Sequence, residues 1–228
     1  MRLKERGFGM KTVIFDLDGT LADTSRDLIC AANACFSRAG HGDLLDRVAD
    51  AATAFRGGRA MLTLGYDRLG LGAAEVERDY PYLLEWYGEN IDTHTVMYPG
   101  AVAAVERLRS GGYAVGICTN KPEGLAETLL TRLGVRSLFA SLIGADTLPV
   151  KKPDAAPFVA AVEQAGGEVT RSLLVGDTVT DRETSRAAGV PSLLITFGPS
   201  GRGVADLAPE GLLDHYDDLD REVARLIG

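Results

Sequence analysis

The chain has 228 residues, 46% of them hydrophobic, and a formal charge of −8. That length holds one domain with an insertion, or two small domains, and the apolar fraction supports a proper core. The acidic balance argues against a nucleic-acid or anionic-membrane surface, and no apolar run reaches spanning length or resembles a signal peptide. The three cysteines, Cys30, Cys35 and Cys118, lack metal-ligand spacing and are odd in number. A reduced, cytoplasmic setting fits them. A monomer or homodimer is expected.

The first ten residues are polar and basic, and Met10 is a second candidate start, because Lys11-Thr12-Val13 opens an apolar run directly. That run, residues 11–16, reads as a buried strand. Further strands are expected at about 113–118, 138–143, 171–175 and 190–196. Helical spacing lies between them, at about 100–111, 122–133, 154–166 and 180–188, with glycines as stops at 111–112, 134 and 189. This alternation predicts a parallel, doubly wound, Rossmann-like sheet. Residues 24–94 interrupt it with helix-like spacing and no convincing strand. They are too many for an ordinary loop and predict an inserted α-helical domain. The expected division is therefore 1–23 with 95–228 as core, and 24–94 as cap. Trp86 and Tyr87 are expected to pack the cap interior. Residues 199–207 read as a loop and 222–227 as a closing helix.

In a doubly wound sheet the reactive groups belong at the carboxyl ends of the strands. The first run ends in Asp16-Leu17-Asp18-Gly19-Thr20. Two carboxylates this close repel, so they call for a cation or a shared proton. One can bind metal and act as a nucleophile, and the other can handle a proton. Val175-Gly176-Asp177 ends another run in an acid, with Asp181 four residues on. Asp177 is a candidate Mg²⁺ ligand, and Asp181 is placed to orient a bound water or a lysine. Thr119 and Asn120 end a third run, and Lys151-Lys152-Pro153-Asp154 supplies cations before a fourth unit.

In this order, the four segments resemble the haloacid dehalogenase superfamily of phosphotransferases, over nearly the whole chain from about residue 11. The resemblance implies a mobile helical cap, hinged near residues 22–23 and 95–99, and phosphate-ester chemistry. It implies Asp16 as the nucleophile and Asp18 as general acid and base, with the Asp18 backbone carbonyl as a further metal ligand. The metal set is then Asp16, Asp18 and Asp177, with Mg²⁺ as the cofactor. Thr119, Asn120 and Lys152 become the phosphate-binding groups. Lys152 is chosen over Lys151 because the family's lysine directly precedes a proline. Ala155 stands where the family often has a second proline.

Phe55-Arg56-Gly57-Gly58-Arg59 places two arginines around a glycine pair in the cap. Arginine suits a carboxylate through a two-pronged contact. This segment, with Asp16 to Asp27, resembles the phosphoglycolate phosphatases. The expected activity is Mg²⁺-dependent hydrolysis of a small phosphorylated metabolite, 2-phosphoglycolate first. A nucleotide or sugar phosphate is the alternative. A superfamily phosphomutase needs a cap lysine, and there is no lysine between Lys11 and Lys121. A non-catalytic module should show a broken motif, and all four are intact. His41, His94 and His215 are scattered and carry no expected role.

Overall fold

The computed structural model describes residues 9–228. The reading of Met10 as a start concerns residues 1–8, which lie outside the described residues. The chain runs β1 (Met10–Phe15), β2 (Ala22–Asp23), α1 (Ser25–Arg38), α2 (Ala51–Ala54), α3 (Gly58–Asp67), α4 (Ala73–Glu89) and β3 (Val96–Met97). It continues α5 (Ala101–Ser110), β4 (Ala114–Cys118), α6 (Glu123–Arg132), β5 (Ser141–Ile143), α7 (Ala155–Gln164) and β6 (Gly167–Gly176). It closes with α8 (Val179–Ala188), β7 (Ser192–Ile195), β8 (Gly211–Leu213) and α9 (Leu219–Ile227).

Six strands form one parallel sheet in the order β5-β4-β1-β6-β7-β8. Side chains alternate between its faces, as the two-residue strand period requires. Val13 and Phe15 join the apolar cluster that includes Val105, Leu129 and Val223, from α5, α6 and α9. Ile14 points the other way, into a cluster with Phe158, Ala161 and Val162 of α7. Both faces are thus covered, which explains why the strands read as continuous apolar runs. Cys118 is fully buried in the second cluster, where burial pushes its thiol up to about 12.

The sheet's far edge differs from the sequence reading. Residues 211–213 add an edge strand beside β7, and Gly201–Leu207 is a 3₁₀ helix rather than a loop. The edge strand is only three residues long and has too little alternation to read in advance.

Residues between β2 and β3 form the inserted helical region. Helix α4 packs on α1 and α3. Phe36 and Tyr66 meet edge to face, with ring centres 5.0 Å apart. The Asn33 side chain accepts from the backbone N–H groups of Leu44 and Leu45 and donates to the Leu45 carbonyl, tying down the loop after α1. Strands β2 and β3 pair antiparallel, Ala22 with Met97 and Asp23 with Val96, where the chain leaves and rejoins the core. Asp27, buried at the start of α1, accepts from the backbone N–H groups of His94 and Thr95 and from the Thr95 hydroxyl. One carboxylate therefore staples the exit to the return.

Candidate active site

Strands β4, β1 and β6 lie side by side and are followed directly by Thr119, Asp16 and Asp177 respectively. Asp16 is held at its backbone, where its N–H donates to the Val175 carbonyl at 2.9 Å. Lys152 Nζ lies 3.0 Å from Asp16 Oδ1 and 2.7 Å from Asp181 Oδ1. The contact with Asp16 is an ion pair without good hydrogen-bond alignment, and it is the one polar contact of the buried Asp16 Oδ1 among the described residues. Lys152, rather than Lys151, occupies this position: Lys152 is 2% exposed, whereas Lys151 is exposed.

Asp181 is fully occupied. Its Oδ1 accepts from Lys152, and its Oδ2 accepts from the backbone N–H groups of Asp177 and Thr178 and from the Thr178 hydroxyl. This closes a capping box at the start of α8 and anchors the lysine together. Gly176 makes room for it, since a Cβ there would come within 2.4 Å of the Asp181 side chain.

Asp177 is different. Its Oδ1 accepts from the Thr20 hydroxyl at 2.8 Å, but its Oδ2 is buried and without a partner. Buried carboxylate oxygens are rarely left unbonded without a reason. Burial, then Asp181 and then Asp16, push the Asp177 carboxyl well above its ordinary value. Burial is also the main cause that lifts Asp16, to about 6; Lys152 opposes it, while Asp181 and Asp18 add to the rise. Two neighbouring buried carboxylates that resist ionisation are a site short of positive charge. Oxygens of Asp16, Asp177 and Asp181 lie within 4.8 Å of one another, close enough to hold a divalent cation. Gly19 clears the space: its φ is +80°, and a Cβ there would lie 2.6 Å from Asp177 Oδ2. The donor set is all oxygen, which suits a hard cation.

Asp18 stands across from this pair. Thr24 Oγ1 donates to its Oδ1 at 2.7 Å, and Lys121 Nζ reaches both its oxygens, at 2.8 and 2.9 Å. Lys121 was not singled out from the sequence. It follows Thr119 and Asn120 directly, and its burial is the signal that only the fold supplies. Thr119 is 3% exposed and its hydroxyl oxygen accepts from the Lys121 N–H. The Asn120 side chain donates to the Lys152 carbonyl at 3.1 Å, so its amide braces the lysine loop.

Above these groups lies a cavity of about 500 Å³ between core and cap. Asp16, Asp18, Thr119 and Asn120 line its floor, and Arg56, Arg59, Tyr80, Leu83 and Tyr87 come from the cap. Arg56 is exposed and has no ion pair among the described residues. Arg59 is committed elsewhere: it stacks over Tyr80 and forms a two-pronged pair with Glu77. Tyr87 packs in the cap core as expected and has a second role. It is buried, but it faces this cavity as well as the cap interior.

A profile of the haloacid dehalogenase-like hydrolases matches residues 13–195. The chain belongs to that family. It is 36% identical to a phosphoglycolate phosphatase of Mesorhizobium japonicum over 94% of this chain and 96% of the relative. It is also 36% identical to a phosphoglycolate phosphatase of Rhodospirillum rubrum, over 92% of this chain and 89% of that one. The crystal structure of a predicted phosphoglycolate phosphatase from Haemophilus somnus 129PT superposes with a TM-score of 0.82 at 25% identity, covering 93% of this chain and 97% of that one. A second solved structure, a haloacid dehalogenase-superfamily hydrolase of subfamily IA, variant 1, from Geobacter sulfurreducens PCA, shares the fold with a TM-score of 0.72. Its identity is 21%, over 97% of this chain and 100% of that one. The family and the buried aspartate cluster make the chain a phosphoric monoester hydrolase acting on a small phosphate ester. No helix among the described residues is long and apolar enough to cross a membrane.

Proposed function

We propose that the protein is a Mg²⁺-dependent phosphatase that converts 2-phosphoglycolate to glycolate and phosphate. The observation that carries the metal reading is Asp177, whose Oδ2 is buried without a partner and which shares a cluster of carboxylate oxygens within 4.8 Å with Asp16 and Asp181. Asp16 and Asp177 would hold Mg²⁺ there, with the Asp18 backbone carbonyl. The cation supplies charge neutralisation for the phosphoryl oxygens.

The chain's own groups then divide the work. Asp16 attacks phosphorus, and an aspartyl-phosphate forms as the ester P–O bond breaks. Asp18 gives a proton to the leaving glycolate oxygen. Asp18, now a carboxylate, next takes a proton from the water that attacks phosphorus, and phosphate leaves with Asp16 restored. Lys152, buried between Asp16 and Asp181, offsets negative charge on the transferring group. Thr119 has its hydroxyl hydrogen free to donate to a phosphoryl oxygen, since its oxygen serves as acceptor for Lys121. Asn120 offers its backbone N–H from the same turn.

The substrate assignment rests on cations around the cavity, in a chain of net charge −8 that repels anions globally. A substrate bearing both phosphate and carboxylate needs positive charge beyond the metal site. We assign residues 24–94 as the cap that closes over it, with Arg56 and Arg59 among the residues lining the cavity. A panel of phosphate esters, read by phosphate release with and without Mg²⁺, tests this. 2-Phosphoglycolate is expected to give the highest kcat/KM, and EDTA to abolish turnover. A nucleotide or sugar phosphate that exceeds it by tenfold contradicts the substrate reading.

A further inference from the structure

Four cationic side chains line the cavity: Arg56, Arg59, Lys121 and Lys151. Only Lys121 is buried, at 6% exposure. A cation in contact with solvent discriminates weakly, because water screens it and its own flexibility competes. A desolvated cation acts at lower dielectric and is the stronger recognition element.

Lys121 has donors to spare. Its ammonium carries three N–H groups, and the two Asp18 oxygens engage two of them. Beside it stands Tyr87, 1% exposed, on the cap wall of the same cavity. Lys121 Nζ lies over the Tyr87 ring, 4.6 Å from its centre. It approaches the ring face, and Tyr87 Oη is buried with no well-aligned hydrogen bond, Lys121 being the cation that acts on it. A buried hydroxyl without an aligned hydrogen bond is costly to folding, so this one is placed to take its bond from a ligand.

The geometry of a short substrate points to the same place. In 2-phosphoglycolate the carboxylate carbon is two bonds from the ester oxygen. That oxygen takes its proton from Asp18. Asp18 is left as a carboxylate when it gives that proton, so a second carboxylate this close needs a cation between them, and the cation in contact with Asp18 is Lys121. Resting on the phosphoglycolate reading, we propose that Lys121 Nζ and Tyr87 Oη form the subsite for the substrate carboxylate. Lys121 comes from the core and Tyr87 from α4 of the cap. The carboxylate therefore ties the two regions together.

The test compares 2-phosphoglycolate with 2-hydroxyethyl phosphate, which keeps the chain length and lacks the carboxylate. The readout is the ratio of the two kcat/KM values in wild type, Lys121→Met and Tyr87→Phe. Wild type is expected to prefer 2-phosphoglycolate. Each substitution should lower that ratio, about 10- to 100-fold for Lys121→Met and about 10-fold for Tyr87→Phe, the scale of a charge-assisted hydrogen bond. In Tyr87→Phe the change should fall on KM rather than kcat. Its melting temperature should not drop, because the lost hydroxyl makes no well-aligned hydrogen bond. This variant keeps the test decisive if Lys121→Met does not fold. If wild type prefers 2-phosphoglycolate and both variants keep that preference, the subsite is wrong and the substrate reading stands. An equal loss on both esters overturns the subsite too, since Lys121 then serves only to position Asp18. If wild type shows no preference, the substrate reading fails and the subsite falls with it.

Discussion

The floor and the roof of the cavity are built on opposite principles. On the floor the charged groups are held by buried neighbours. Asp181 accepts four hydrogen bonds, Lys152 bridges two carboxylates, and Thr20 holds Asp177. On the roof, Arg56 is exposed without an ion pair among the described residues, and Arg59 makes a surface pair with Glu77. A prepaid arrangement of charge is what phosphoryl transfer demands, since positioning and electrostatics carry most of the rate. A loosely held roof suits substrate selection and closure. Floor substitutions should therefore abolish chemistry, and roof substitutions should shift preference.

The largest effect expected is at Asp177. Partners that only orient a metal ligand are worth about 10- to 100-fold in affinity or activity. Removing a direct ligand should exceed that, so Asp177→Ala should lose at least about 100-fold in activity at fixed Mg²⁺. Titrating Mg²⁺ into wild type and variant checks it. An unchanged Mg²⁺ dependence would remove Asp177 from the metal site and break the contrast between floor and roof.

A smaller effect, in stability, follows from the raised carboxyls. Asp16 titrates near 6 in the metal-free fold, above its ordinary 3.8. The folded state thus binds the proton more tightly than the unfolded chain. This contribution to metal-free stability is full below pH 3.8 and is lost as pH rises through about 6. Asp177 is shifted in the same direction. Mg²⁺ competes with these protons. Its stabilising effect on melting temperature should be large at pH 7 to 8 and should shrink as pH falls through about 6. Thermal melts with Mg²⁺ or EDTA across that range measure it. A Mg²⁺ shift that grows on acidification contradicts the site.

The smallest effects belong to the roof arginines. Arg56→Ala should raise KM for 2-phosphoglycolate by about 3- to 10-fold, between the worth of an exposed pair and a buried charge-assisted bond. Arg59→Ala should change it by less than about 3-fold, because its guanidinium is already engaged. Steady-state kinetics on both variants, with p-nitrophenyl phosphate as the carboxylate-free control, sharpens the comparison. A kcat collapse at Arg56 would move it to the floor.

Much of the floor was legible in the sequence, and the reason is topological. A parallel sheet buried on both faces writes each central strand as an apolar run. The residue that ends the run is the one delivered to the functional edge. Asp16, Thr119 and Asp177 were readable on that ground alone. Lys121 and Tyr87 were not. Their neighbours in space come from elements distant in sequence, Asp18 and the cavity wall, and neither stands at a telling position in its own element. Tyr87 sits on the buried side of α4, where its spacing matches any core residue. Nothing local distinguishes a satisfied hydroxyl from an unbonded one. The edge strand β8 escaped because three residues carry no period.

The account turns on Asp16 as the atom that receives the phosphoryl group, and borohydride trapping reads that directly. Borohydride reduces an acyl-phosphate to an alcohol, which would convert the aspartate side chain to that of homoserine. A turnover mixture with Mg²⁺ and 2-phosphoglycolate would be quenched, reduced and mapped by peptide mass spectrometry, with Asp16→Asn as the control. The account predicts homoserine at position 16 only, dependent on substrate, and no turnover in the Asp16→Asn enzyme. Modification at Asp18 or Asp177 instead, or continued phosphate release by a pure Asp16→Asn sample, would contradict it.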